Sequence, residues 1–173
     1  MEDQISKLSL RPFHLSDIDD FMVWASDDLV TRFCSWDAYT SKEGGLAHLR
    51  DRTLPHPWHK TICLSDRPIG SICLTQGSGE ALCRGEIGYA LAFKYWGQGL
   101  ATHAVNMVLS SVFKDKPELE RIEALVDADN VGSQRVLEKV GFKKEGLLRK
   151  YLIHRGKTVD VFMYSFLSTD LIK

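Results

Sequence analysis

Between Glu86 and Val112 the chain passes from a strand-like run, through two glycines, into an amphipathic helix, and this junction constrains the fold more than any other stretch. Glu86-Ile87-Gly88-Tyr89-Ala90-Leu91 reads as extended. Ala101, Ala104, Val105, Val108, Leu109 and Val112 recur at the spacing of one apolar helical face. Between them lies Tyr95-Trp96-Gly97-Gln98-Gly99-Leu100-Ala101-Thr102. The first N–H groups of a helix have no intrahelical acceptor, and the macrodipole adds partial positive charge there. Glycine at 97 and 99 lets the main chain approach an anion without a Cβ in the way. The turn therefore reads as a pyrophosphate cradle, with the amides of Gly97, Gln98, Gly99, Leu100, Ala101 and Thr102 as donors. Taken alone, these residues fit an ordinary strand-to-helix turn equally well.

Competing nucleotide motifs fail on inspection. No Gly-x-x-x-x-Gly-Lys-Ser/Thr run exists, and the dinucleotide fingerprint breaks at Thr102, where its third small residue belongs. A net charge of -1 over 173 residues argues against nucleic acid or an anionic membrane as partner. No apolar run approaches the ~20 residues that span a bilayer, and the start Met1-Glu2-Asp3 lacks the layout of a secretion signal, so a cytoplasmic protein is expected. Cys34, Cys63, Cys73 and Cys83 form no Cys-x-x-Cys pair and read as small buried hydrophobes. The six histidines make no His-x-x-x-His or mixed Cys/His cluster, so no metal is expected.

The length and a 44% hydrophobic content predict a single domain over residues 1–173. Leu8-Ser9-Leu10-Arg11-Pro12 opens as a strand. Ile18, Phe21, Met22 and Ala25 form a helical face entered at Ser16-Asp17, and Ser41 starts a second helix that Gly44-Gly45 weakens. Asp17, Asp19 and Asp20 suit a solvated first turn better than a substrate-attracting patch. Prolines 55 and 57 break the helical pattern. Strands are then predicted over His59 to Leu64, Pro68 to Gln76 and Arg84 to Leu91, with a fifth on Ile122, Ala124 and Val126. A helix over Asn130 to Val140 and strands near Phe142 to Ile153 and Lys157 to Leu167 close a mixed sheet with helices on both faces. Trp24, Phe33, Trp36, Tyr39 and Trp58 read mostly as core aromatics, with an acceptor groove as the alternative.

The second informative run is Asn130-Val131-Gly132-Ser133 through Gly141-Phe142. Asn130 suits an N-cap and Gly141 a C-terminal cap.

With both runs in view, the sequence resembles the GCN5-related N-acetyltransferases, in the branch that includes the ribosomal-protein N-terminal acetyltransferases. The family's Arg/Gln-x-x-Gly-x-Gly/Ala motif falls on Trp96 to Ala101, and its Asn-x-x-Ser/Ala helix followed by Gly-Phe falls on Asn130 to Phe142. Glu-Ile-Gly-Tyr before the cradle and Ser35-Trp36 are typical of that branch. The resemblance implies an α/β fold with a mostly antiparallel seven-stranded sheet and a splayed central strand pair. It implies acetyl-CoA as co-substrate and an amine acceptor (a peptide N-terminus or small amine); a monomer and a homodimer fit the sequence equally. The pantetheine arm would run along Tyr89, Ala90 and Leu91 toward Asn130. Trp96 departs from the motif's Arg or Gln and is expected to weaken or reshape cofactor binding.

Glu86 stands where similar enzymes place a carboxylate base, the alternative being a structural partner for Arg84 or Arg121. For the acid, many relatives use a Tyr where this chain has Leu137, which leaves the Ser133 hydroxyl. Leu152 replaces a Glu that is catalytic in some ribosomal relatives. A backbone N–H near Leu91 is the expected oxyanion donor. Two other readings remain at this stage: an acyl-CoA-binding module without turnover, and a nicotinamide-dinucleotide protein.

Overall fold

The computed structural model describes residues 2–172; Met1 and Lys173, the ends of the single-domain expectation, lie outside the described residues. Among the described residues seven strands form one sheet in the order β1-β2-β3-β4-β5-β7-β6. They are β1 (Leu8–Pro12), β2 (His59–Leu64), β3 (Arg67–Gln76), β4 (Arg84–Leu91), β5 (Arg121–Asp127), β6 (Lys143–His154) and β7 (Lys157–Leu167). The helices are α1 (Glu2–Ile5), α2 (Ile18–Ala25), α3 (Asp28–Thr31), α4 (Lys42–His48), α5 (Leu100–Asp115) and α6 (Val131–Val140). Antiparallel pairing dominates, and β4 with β5 is a parallel pair. This is not the doubly wound parallel sheet of a dinucleotide-binding protein.

The chain divides into two compact units. The first runs up to Cys73 and adds Gly88–Ala104, which contains the end of β4, the glycine turn and the start of α5. Its core joins Phe13, Ile18, Phe21, Trp24 and Leu49 to Ala90 and Ala92. Asp27 accepts from the Leu29 N–H at 2.9 Å and Ser41 from the Gly44 N–H at 3.1 Å, caps worth about 1 kcal/mol each. The helix entered at Ser41 continues past His48 as a π-turn over Leu49–Thr53, so the two glycines do not stop it.

The second unit holds Leu74–Ile87 and the chain from Val105 onward. Leu119, Ile122, Leu137 and Phe166 are fully buried in it, and Phe166 packs against Phe113 and Phe142 at centroid distances of 6.3 and 5.5 Å. Gly141, at φ +113°, ends α6 as a left-handed cap. The β6–β7 hairpin contains a bulge the alternation does not announce. Leu148 pairs with Val161 and Leu152 with Val159, which leaves Arg149, Lys150 and Tyr151 opposite Asp160 alone. Lys150 is left-handed at φ +48°, and the Asp160 carboxylate takes its N–H at 2.7 Å.

Two expectations are corrected. Cys83 is exposed and lies before β4, while Cys34 and Cys73 are half-buried; the buried cysteine is Cys63. Of the five aromatics read mostly as core, Trp24 is fully buried and Phe33, Trp36, Tyr39 and Trp58 are half-buried.

Candidate active site

In the first unit, one 3-10 turn over Phe93–Tyr95 ends β4, and Trp96 is extended. Gly97 and Gly99 follow at φ +73° and +78°. The Gly99 carbonyl receives the His103 N–H at 3.0 Å as the first turn of α5. The amides of Leu100, Ala101 and Thr102 thus precede the intrahelical ladder. A Cβ added at Gly97 or Gly99 would meet nothing within 4 Å, so the left-handed dihedral, not crowding, selects glycine. Open space over both glycines and a row of helix-start amides suit a diphosphate. The Gln98 side chain turns back, its Nε2 donating to the Lys94 carbonyl at 2.8 Å, so only its main chain is left for the turn's mouth.

The strand before the turn is shaped by close approach. A Cβ on Gly70 of β3 would stand 2.2 Å from the Ala90 carbonyl oxygen and 2.6 Å from a Leu91 methyl, so only glycine fits there. The Ala92 N–H donates to the Ile69 carbonyl at 2.9 Å. Trp96 Nε1 donates to the Leu91 carbonyl at 2.8 Å while its ring stays 41% exposed, edge-on to Phe93.

In the second unit, β4 and β5 pair as Arg84↔Arg121, Gly85↔Ile122 and Glu86↔Glu123. Both strands run on past that last pair. The two facing carboxylates have opposite surroundings. Glu123 is buried at 6% exposure, bound by Arg84 and by Arg121 Nε at 2.9 Å. Arg121 also forks onto Glu145 at 2.8 and 2.7 Å, and Glu145 accepts from the Ser165 hydroxyl at 2.5 Å. Glu145 is held down to about 2 by Arg121 and then Ser165. Glu86 has no ion-pair partner among the described residues, since both guanidiniums named as its alternatives are committed to Glu123. Glu86 is itself exposed on the sheet; partial desolvation by the atoms packed around it lifts its carboxyl above the ordinary range, the charge of Glu123 adds to the rise, and Arg84 opposes it.

Asn130 caps α6, its Oδ1 accepting the Ser133 N–H at 3.1 Å, so the Nδ2 amide is left as its donor. Ser133 is half-buried in the first turn of α6. Leu137, at the tyrosine position, is fully buried in the core, and Leu152 is exposed on β6. The predicted residues thus fall in two sets. Tyr89 to Leu91 and Gly97 to Thr102 stand in the first unit, while Glu86, Asn130 and Ser133 stand in the second.

Three features escaped the sequence: the tie from Trp96 to Leu91, the Gly70 approach, and Glu123 as the arginine partner. Arg84, Glu86, Arg121 and Glu123, paired in register, carry a signal for the last, but reading it needs the strand pairing in advance. The first unit also places the Tyr39 hydroxyl 2.6 Å from His48 Nδ1, with His48 stacked on Phe21. Among the described residues no three His, Cys, Asp or Glu side chains cluster as a metal site. No helix of the described residues is long and apolar enough to cross a membrane.

Residues 7–143 match the family described as "Acetyltransferase (GNAT) domain". The uncharacterised N-acetyltransferase p20 of Bacillus licheniformis is 31% identical over 173 residues, covering 95% of this chain and 94% of its own. Among solved structures, the GNAT-family acetyltransferase of Bacillus anthracis superposes at a TM-score of 0.85 with 25% identity, covering 95% of this chain and 96% of that one. Mycobacterium smegmatis RimJ in complex with CoA-disulfide superposes at 0.75 with 29% identity, covering 93% and 82%.

Proposed function

This chain belongs to the GNAT N-acetyltransferases, and from that premise we propose that it moves an acetyl group from acetyl-CoA to a primary amine, a peptide N-terminus or a small amine, by direct attack in a ternary complex. Acetyl-CoA supplies the activated thioester carbonyl; everything else comes from the chain. The observation that carries the reading is the Gly97–Thr102 turn, whose helix-start amides and left-handed glycines suit the coenzyme's diphosphate. Tyr89, Ala90 and Leu91 would pair with the amides of the pantetheine arm, and Asn130 Nδ2 would donate to it.

Glu86 takes the proton that the amine sheds as nitrogen bonds to carbon. Its carboxyl, raised by partial desolvation and by the charge of the facing Glu123 and held in no ion pair among the described residues, is a better base than one locked in an ion pair. The C–S bond then breaks, and the Ser133 hydroxyl, in the first turn of α6, returns a proton to the departing thiolate. The Leu91 N–H faces the carbonyl oxygen as it gathers charge, a pre-oriented donor that costs no reorganisation. The domain is read as acting whole, in the cytoplasm, as a monomer or homodimer.

Thermal unfolding with and without acetyl-CoA tests the first half of this. Ligand at about 100 times its Kd should add ~2.7 kcal/mol of stability. Thiol release with a panel of N-terminal peptides and small amines tests the second half. No stabilisation by acetyl-CoA would remove the cradle reading, and stabilisation without thiol release from any amine would remove the proposed acceptor class.

A further inference from the structure

The Leu91–Ala92 peptide group is held at both ends. Its carbonyl accepts from Trp96 Nε1 at 2.8 Å, and its N–H donates to the Ile69 carbonyl at 2.9 Å. The preceding peptide group is fixed by packing: the Ala90 carbonyl oxygen lies where a Gly70 Cβ would be, so it is turned toward β3. In a planar trans peptide the N–H points opposite to the carbonyl, so the Leu91 N–H is directed away from β3. Along an extended strand the N–H and C=O of one residue point to the same side. The Leu91 N–H and the Leu91 carbonyl therefore share the side from which the Trp96 indole approaches. That indole is the only side-chain hydrogen-bond donor to the Leu91 carbonyl among the described residues.

We propose that Trp96 is a positioning residue for acetyl transfer: its indole N–H holds the Leu91 carbonyl and thereby aims the Leu91 N–H at the thioester carbonyl. The proposal rests on the function above, which places the acyl group at Leu91. It goes beyond the expectation that Trp96 weakens or reshapes cofactor binding. The motif's usual Arg or Gln is also an N–H donor of comparable reach, so the substitution exchanges one donor for another. The ring does not reach an anion by charge, and the phosphate contacts belong to the main chain. The consequence is a split: loss of the indole N–H should harm the step in which charge develops on oxygen more than it harms coenzyme binding.

Two variants separate the donor from the ring. Trp96→Phe keeps an aromatic edge against Phe93 and deletes the N–H; Trp96→Gln restores a donor on a smaller side chain. The readout that needs no acceptor amine is the C=O stretch of bound acetyl-CoA carrying 13C at the thioester carbon, since a carbonyl that accepts a hydrogen bond absorbs at lower frequency. Wild type should lower that frequency relative to acetyl-CoA in water-poor solvent, Trp96→Phe should lose most of the shift, and Trp96→Gln should recover it. With an accepted amine, Trp96→Phe should lower kcat about tenfold, a part of the 10²–10³ lost when an oxyanion donor is removed outright, with acetyl-CoA Kd changed less than threefold. Unfolding midpoints of both variants report whether they fold. An unchanged band and kcat in Trp96→Phe, or a Trp96→Gln variant as impaired as Trp96→Phe, would overturn the proposal. Failure of wild type to bind acetyl-CoA would instead remove the reading beneath it.

Discussion

In the proposed function, the turn at Gly97–Thr102 and the carboxylate at Glu86 would work with different parts of the chain. The turn offers main-chain N–H groups. Ahead of the helix its side chains are absent at Gly97 and Gly99 and folded back at Gln98. Glu86 offers a side chain, and its character is set by what its neighbours leave undone. Glu123, its partner in the parallel ladder, takes both nearby guanidiniums, and Glu86 keeps a raised carboxyl in their absence. A site built from backbone tolerates sequence change but not dihedral change, whereas one built from electrostatic neglect does the reverse.

The largest effect should come from removing the carboxylate. Glu86→Gln is expected to lower kcat by ~10²–10⁴, about 3–5.5 kcal/mol of barrier, while acetyl-CoA still raises the unfolding temperature. Because the carboxyl must be ionised to act and is raised, the acid limb of the wild-type rate profile should lie above the ordinary carboxylate value of 4.5. Glu123→Gln should do the opposite, costing about 1.5–3 kcal/mol of stability through weakened charge-assisted hydrogen bonds, since Arg121 keeps its fork onto Glu145 and Arg84 is half exposed. Denaturant melts and initial rates on the two variants decide it. If Glu123→Gln abolishes turnover while Glu86→Gln spares it, the roles are exchanged.

The backbone side of the comparison predicts a smaller effect. Gly99→Ala puts a Cβ on a residue at φ +78° with no atom within 4 Å to clash, so only the dihedral is strained, by ~1–2 kcal/mol. If the turn holds, that energy leaves the folded state's stability. If the turn relaxes, it leaves acetyl-CoA affinity instead, as a loss of about 5–30-fold. The sum of the two, from melts and calorimetric titration, is the expected quantity. Gln98→Ala should move neither by more than threefold, and a larger loss would show that side chains carry the cradle.

This division explains what could be read from residues alone. Backbone devices leave strong local signatures: two glycines before a periodic apolar face, an Asn before α6 and a Gly after it. The turn, both helices and most strand limits could be placed from these. What depends on distant partners could not. Whether Glu86 or Glu123 would take Arg84 is decided by a strand pairing that brings Arg84 to a carboxylate 39 residues away in sequence. Leu91's carbonyl needed Trp96's indole to be seen in place. The β6 bulge depends on Asp160 reaching the Lys150 N–H, and nothing in Arg149-Lys150-Tyr151 announces a left-handed residue. The half-buried aromatics around His48 failed for a related reason, since hydrophobic character does not tell a core position from a wall.

The smallest effects, and the ones that compare the two units directly, lie in acid. His59, in the first unit, is pushed down to about 4 by burial and then by His56 and His48, against an ordinary value of 6.5. The unfolded chain therefore binds a proton there that the folded chain refuses, so its contribution is intact above pH 6.5 and is lost as pH falls from 6.5 toward 4. Glu145, in the second unit, is held at about 2 against 4.5; its contribution is intact above pH 4.5 and is lost as pH falls from 4.5 toward 2. Glu145 is partly exposed, so salt should shrink its share. Amide exchange followed from pH 7 downward should show β2 losing protection in the upper window and β6–β7 in the lower. His59→Phe should flatten the first slope and leave the second, and Glu145→Gln should do the converse. Both slopes moving together in either variant would mean that the two units open as one, and the separation drawn between a main-chain site and a side-chain site would then not extend to stability.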